Sequence, residues 1–207
     1  MRALVSNSWR GLVARRKLFR SGYPAPIEKA ISEQLLLRNF YKTDVLFDIR
    51  IDDIRDSAAR FLTELSYKVT NRTATAHHWY IGKTIRYPTP IREVYFNGIP
   101  QDVESPDNRD ARGIRVPRLL EPGETGAVLI RVQEEVRVPD SSLFTSYNPA
   151  TDLRVRVAFP DSLLEIDVER LYFIKLQPHR EIGLLEVYID RGLLPYQGIR
   201  LNWRRRQ

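Results

Sequence analysis

The sequence predicts a mainly β protein, an antiparallel β-sandwich of about ten strands preceded by one or two N-terminal helices. Residues 119–138, LLEPGETGAVLIRVQEEVRV, hold a turn at Glu121-Pro122-Gly123-Glu124 and then a long run. In that run Val128, Ile130, Val132, Val136 and Val138 share one face, because side chains alternate along a strand. From Thr43 onward the same grammar of alternating segments between turn residues repeats. The connections between those segments are short, which favours antiparallel neighbours over the helix crossovers of a βαβ fold.

Composition sets the bounds. A chain of 207 residues with 43% hydrophobic and 29% charged residues can bury a core of its own, as one main domain. The absence of cysteine excludes disulfides, thiolate metal sites and a cysteine nucleophile. No apolar run approaches the ~20 residues that a membrane-spanning helix needs. The net charge of +7 is unevenly placed: residues 1–42 carry nine basic and two acidic side chains, so the rest of the chain is neutral overall. A basic arm (1–42) and a β-sandwich domain (43–207) are therefore expected, the arm having its own local field.

Residues 1–20 contain no acidic side chain, and at helical pitch Val5, Trp9, Leu12, Val13 and Phe19 fall near one side. Arg10, Arg15, Arg16, Lys17 and Arg20 supply the charge. Such a helix can pack on its own domain, lie on an anionic membrane, or dock on a partner protein or nucleic acid; an Arg-rich targeting peptide has the same composition. Pro26 opens a second helix through about Arg38, with Ile27, Ala30, Ile31 and Leu35 on one face. From Thr43 the period changes to two, and Val45, Phe47, Ile49 and Ile51 alternate with polar residues. A polar loop over residues 52–60 leads to a strand carrying Phe61, Leu65, Tyr67 and Val69. Further strands are expected at residues 77–81, 91–96, 153–159, 163–168, 171–176, 184–189 and 199–203, with loops at 101–112 and 140–150 and a turn at Pro178-His179-Arg180. Asn97-Gly98 signals a hairpin.

Chemistry-bearing motifs are few. His77 and His78 point to opposite faces if both lie in one strand, so they do not share a metal, and no metal or cofactor site is expected. Neither a phosphate-binding glycine loop nor a nucleophile elbow occurs, and the reading is non-enzymatic. Glu134 interrupts the apolar face of its strand, either because the strand ends there or because a buried acid has a basic partner. Arg200, Arg204, Arg205 and Arg206 are candidate phosphate contacts or a solubilising tail. Asn71-Arg72-Thr73 matches a glycosylation acceptor.

Residues 61–138 resemble a bacterial immunoglobulin-like sandwich, through the strand ending in Tyr67-Lys68-Val69-Thr70-Asn71, the Tyr95-Phe96-Asn97-Gly98 hairpin and the turn at residues 120–124. A longer stretch, from the helix at 26–38 through Leu37-Arg38-Asn39-Phe40 to the closing residues 193–203, LLPYQGIRLNW, resembles the β-rich module of bacterial antiviral effectors. In that family the module accompanies two transmembrane helices and senses a nucleotide second messenger. The present chain lacks such helices, so the resemblance implies a sensing or assembly role without pore formation. The expected function is a non-enzymatic sensing or interaction module of a defence or signalling system. Its expected partners are a protein or a second copy of the chain, a nucleotide second messenger and an anionic membrane surface, and its expected location is the cytoplasm, peripheral at the membrane. A nucleic-acid-binding accessory protein is the alternative.

If the arm binds an anionic surface, each basic side chain contributes about 1 kcal/mol, and Trp9 and Phe19 add apolar burial that salt does not screen. Deleting residues 1–20 is then expected to abolish co-sedimentation with anionic vesicles, and Trp9→Ala to weaken it. Equal binding by the truncated protein would show that the arm is not the contact.

Overall fold

A computed structural model describes residues 39–206 except 56, 85–90, 104–112, 147, 172–175, 190–191 and 196. The basic arm, both helices and the strand expected at 171–176 lie wholly or largely outside the described residues. Every described regular element is a strand. In chain order these are β1 (Phe40–Arg55), β2 (Ala58–Asn71), β3 (His77–Thr84), β4 (Ile91–Phe96), β5 (Ile99–Gln101), β6 (Gly113–Leu120) and β7 (Thr125–Arg137). They continue as β8 (Asp140–Thr145), β9 (Leu153–Ala158), β10 (Leu164–Leu171), β11 (Gln177–Glu181), β12 (Leu184–Ile189) and β13 (Gly198–Arg205).

Eight strands form one sheet in the order β11-β12-β9-β1-β2-β7-β4-β5; β10-β13-β8 and β3-β6 form two smaller sheets. Among the described strands the pairing is antiparallel with one exception. β1 and β9 run parallel, Phe47 opposite Val155 and Ile49 opposite Val157, because β9 returns to the large sheet only after the chain has left it for β8. The sheet is therefore mixed, a correction to the wholly antiparallel expectation. Both small sheets cover the same face of the large one. Phe61 of β2 meets Trp203 of β13 with ring centroids 4.9 Å apart, Phe47 of β1 meets Phe144 of β8 at 5.0 Å, and Tyr67 of β2 meets Trp79 of β3 at 6.3 Å. The inward side chains of all three sheets form one core.

The turn chemistry read from the sequence holds. Gly123 has φ +76° and the Glu124 N–H donates to the Glu121 carbonyl at 3.0 Å, closing the turn that Pro122 begins. Asn97 and Gly98 have φ of +50° and +78°, the geometry that a tight β4–β5 hairpin requires.

Three segments differ from expectation. The polar residues 52–60 do not form a loop: β1 runs to Arg55 and β2 starts at Ala58, with Arg60 and Asp52 paired at 2.6 Å and Arg55 and Asp53 at 2.9 Å. Their polarity marks the solvated tip of a long hairpin. Residues 140–145, expected in a loop, form β8. Residues 178–180, expected to turn, lie in β11, a fully exposed edge strand where a proline is tolerated; the turn comes later, at Gly183 with φ +72°.

Buried polar side chains help to tie the layers. Asn71, wholly buried at the end of β2, donates through Nδ2 to the carbonyls of Thr75 and Leu120 at 2.9 Å each, and its Oδ1 accepts from the Thr73 N–H at 3.0 Å and the Thr73 hydroxyl at 2.8 Å. The glycosylation match therefore falls on an amide fully engaged inside the protein. Lys83 of β3 pairs with Glu134 of β7 at 2.7 Å, with side chains only 14% and 10% exposed. That settles the alternative for Glu134 in favour of a buried acid with a basic partner.

Asn71→Ala removes four hydrogen bonds and leaves two carbonyls short of a donor, so urea unfolding is expected to show a loss of ~3 kcal/mol. Lys83→Met and Glu134→Leu are each expected to cost roughly 3 kcal/mol alone and much less together, because either single change strands a buried charge. Additive losses in the double-mutant cycle would mean that the pair does not act as a unit.

Candidate ligand cavity

The two small sheets do not pair with one another, and between them lies a cavity of about 520 Å³ over the large sheet. Its floor comes from β1, β2 and β7, through Phe47, Ile49, Thr63, Leu65 and Val136. One wall is Gly82 and Lys83 of β3; the other is β8 with Trp203 of β13. The serines and threonine of β8 line this space, which is why its sequence looks like a loop: the apolar alternation expected of a covering strand is replaced there by polar side chains facing a cavity.

Lys42 stands at the wall of the cavity. Its backbone is fixed on both sides, the N–H donating to the Pro149 carbonyl at 2.9 Å and the carbonyl accepting from the Thr151 N–H at 3.0 Å. Its ammonium lies 4.3 Å from the Tyr67 ring centroid and 5.5 Å from that of Trp79. None of the ion pairs among the described residues gives it a carboxylate. Burial lowers its pKa from 10.5 to about 8, so at neutral pH it is still mostly charged. The Tyr67 hydroxyl and the Trp79 indole N–H are also buried and, among the described residues, have no hydrogen-bond partner of good geometry. Burial pushes the Tyr67 hydroxyl well up, and the neighbouring indole opposes that shift. A cation resting on aromatic faces, with two buried polar groups behind it and a cavity of mixed polar and apolar lining in front, suits an anionic group on a partly apolar ligand.

A one-residue bulge creates this position. The β1–β2 register slips between Thr43 and Leu46, and Asp44 takes φ +53°. Strict alternation back from Val45, Phe47 and Ile49 would turn Lys42 outward. The bulge reverses the parity, so Phe40 and Lys42 join the inner face. The charge count places Lys42 in the basic arm; the strand begins at Phe40, and Lys42 belongs to the sheet. An acidic residue of positive-φ tolerance at Asp44, inside an alternating run, was the available signal.

Of the residues predicted from sequence, Trp9, Arg10, Arg15, Arg16, Lys17, Phe19 and Arg20 lie outside the described residues. The C-terminal arginines are strung along β13 and its end and are not gathered into one site. Arg200 pairs with Glu169 at 3.2 Å, Arg204 with Glu165 at 2.9 Å and Arg206 with Asp161 at 3.1 Å, while Arg205 donates to the Arg55 carbonyl. The hydrogen bond between Arg204 and Glu165 raises the first and lowers the second. Arg200 also borders the cavity. His77 meets the Thr75 hydroxyl at 3.0 Å and His179 meets Glu181 at 3.0 Å, so neither joins the other.

No protein-family model and no curated protein matches the sequence. Among solved structures, a candidate nutrient-binding protein of Legionella pneumophila is similar with a TM-score of 0.53 at 8% identity, over 83% of this chain and 68% of that one. A candidate protease of Parabacteroides distasonis gives 0.43 at 11% identity, and an M1 zinc metallopeptidase of Deinococcus radiodurans gives 0.43 at 14%. Each of those two covers 80% of this chain, which spans only 40% and 43% of their lengths. What the chain shares with the first of these is a fold.

Proposed function

We propose that the protein is a non-enzymatic sensing or interaction module that holds an anionic, partly apolar ligand in the cavity between its two small sheets. The observation that carries this reading is the Lys42 ammonium, desolvated at the cavity wall and set, among the described residues, against aromatic rings and no carboxylate. A charge kept there at a cost in stability is what a binding site requires and what a core avoids. The cavity volume suits a small ligand, and a nucleotide second messenger, the ligand implied by the sequence resemblance, meets the charge requirement. Membership of a bacterial antiviral or signalling system, and a membrane or protein contact through the basic arm, belong to the same proposal. So does the immunoglobulin-like relationship, supported by the turns at residues 97–98 and 121–124. The nucleic-acid alternative draws on the C-terminal arginines, three of which already face carboxylates.

The test uses anilinonaphthalene sulfonate, an apolar fluorophore of fixed negative charge. It is expected to bind the intact protein and to bind Lys42→Met at least tenfold more weakly, and its binding is expected to fall as pH rises through about 8, where Lys42 loses its proton. Stability moves the other way. The folded pKa of Lys42 lies below the unfolded value, so between about 8 and 10.5 the unfolded chain holds more protons and this group's contribution to stability rises with pH. Below that window the charged amine costs roughly 3 kcal/mol. Lys42→Met is therefore expected to be more stable than the parent at pH 7, with the difference shrinking toward pH 10. Unchanged dye binding in this variant would overturn the proposal.

A further inference from the structure

Two tryptophans cover β2 at separate points. Trp79 of β3 meets Phe40 and Tyr67, with ring centroids 5.0 and 6.3 Å apart, and Trp203 of β13 meets Phe61 at 4.9 Å. Leu65 and Thr63 stand between these points on the inward face of β2, and both line the cavity. Its length can be read on two sides. Along the floor it follows β2 from Leu65 to Phe61, about 13 Å at strand rise, and residues 141–146 line its side consecutively over about 16 Å. The ends differ in character. Lys42 stands at one, bridged to Ala150, which is bridged in turn to Leu193. Gly82, Lys83 and Trp203 stand at the other, together with Glu134, which lies opposite Phe61 in the β2–β7 register. The cavity is an elongated chamber that runs from Lys42 to Trp203.

Charge is settled differently at the two ends. Lys83 and Glu134 neutralise one another at 2.7 Å, and Arg200, at the cavity border, is engaged by Glu169 at 3.2 Å. Among the described residues, Lys42 is the charged group of the lining that has no carboxylate. Beside its ammonium lie the Tyr67 hydroxyl and the Trp79 indole N–H; all three groups donate, and of them only the hydroxyl also accepts. Such a cluster takes an oxyanion. A carboxylate balances one lysine charge for charge, whereas a phosphate monoester of about −1.5 to −2 would bury negative charge without compensation. Beyond Lys42 the floor is mostly apolar, through Phe47, Ile49, Leu65 and Phe61, with the serines of β8 along its side.

We infer that the cavity holds a straight-chain monocarboxylate of about ten carbons, its carboxylate on Lys42 and its chain along Leu65 and Phe47 toward Trp203. The inference rests on the cavity reading above and names its ligand as an aliphatic acid. An extended alkyl chain advances about 1.3 Å per bond, so about ten carbons span the floor of about 13 Å. Methylenes against the apolar floor supply the affinity, Lys42 selects the acid, and Trp203 limits the length. Ser142, paired with Leu201, shares the inward face of β8 with Phe144 and lies near the Trp203 end.

The test is isothermal titration of the full chain with straight-chain carboxylates of six to sixteen carbons, below their micelle concentrations, and with the methyl ester and the alkyl phosphate of the best length. Affinity is expected to rise roughly tenfold for every two methylenes up to about ten carbons, then to level or fall. The ester should bind at least tenfold more weakly than the acid on the parent and within twofold of it on Lys42→Met. The phosphate should bind no more tightly than the acid. Ser142→Phe should shorten the best length by two carbons or more and keep the difference between acid and ester; if that variant does not fold, the parent series decides alone. Affinity that climbs through sixteen carbons, equal binding of acid and ester, a tighter phosphate, or an unchanged best length in folded Ser142→Phe overturns the inference. Lys42-dependent dye binding that no carboxylate displaces, or that a cyclic dinucleotide alone displaces, removes the aliphatic acid and leaves the cavity reading standing. Dye binding indifferent to Lys42 removes both.

Discussion

Glu134 cannot sit alone on the inner face of β7, and the ion pair that resolves this sets where the second layer stands. A lone carboxylate among Val132, Val136 and Ile130 would be desolvated without compensation. Lys83 supplies the compensation from β3, and in doing so fixes that end of β3 above β7, while Trp79 of the same strand lies against Tyr67 of β2 and Phe40 of β1. The three-stranded sheet is fixed separately, through Trp203 and Phe144 on β2 and β1. Two covers anchored at different points along one floor leave a space between them. The cavity follows from these anchors.

Lys42 and Lys83 show two solutions to the same difficulty. Both amines are taken largely out of water. Lys83 is matched by a carboxylate 2.7 Å away, a full opposite charge. Among the described residues Lys42 meets the faces of Tyr67 and Trp79, whose quadrupoles attract a cation by roughly 1–2 kcal/mol, less than burial takes away. The difference shows in its depressed pKa. A matched pair holds the fold, whereas the unmatched amine leaves an attraction that a ligand can satisfy.

The inner faces of β2, β7, β9 and β13 were legible because their alternation is strict: Phe61 to Val69, Val128 to Val138, Leu153 to Phe159 and Ile199 to Trp203 are buried as read. So were the turns that Pro122-Gly123 and Asn97-Gly98 dictate. What could not be read depended on partners distant in the chain. The parallel placement of β9 beside β1 leaves no mark in either strand. The polar character of β8 follows from the cavity it borders, and only the assembled layers reveal that cavity. Lys42 escaped because a single extra residue at the bulge reverses its side of the sheet, and alternation carries no information across a change of parity. Glu134 was half legible: its oddness was visible, its partner fifty-one positions away was not.

Asn71 turns a surface-type signal into a matter of timing. Oligosaccharide transfer acts on an Asn-x-Thr stretch while it is still unfolded, and here the acceptor amide ends with no exposure and four hydrogen bonds. A sugar attached first would keep β2, the following turn and the end of β6 from closing around it. Folding and modification of this chain are therefore mutually exclusive outcomes of a race. In a compartment that runs both, the winner decides whether the second layer forms at all.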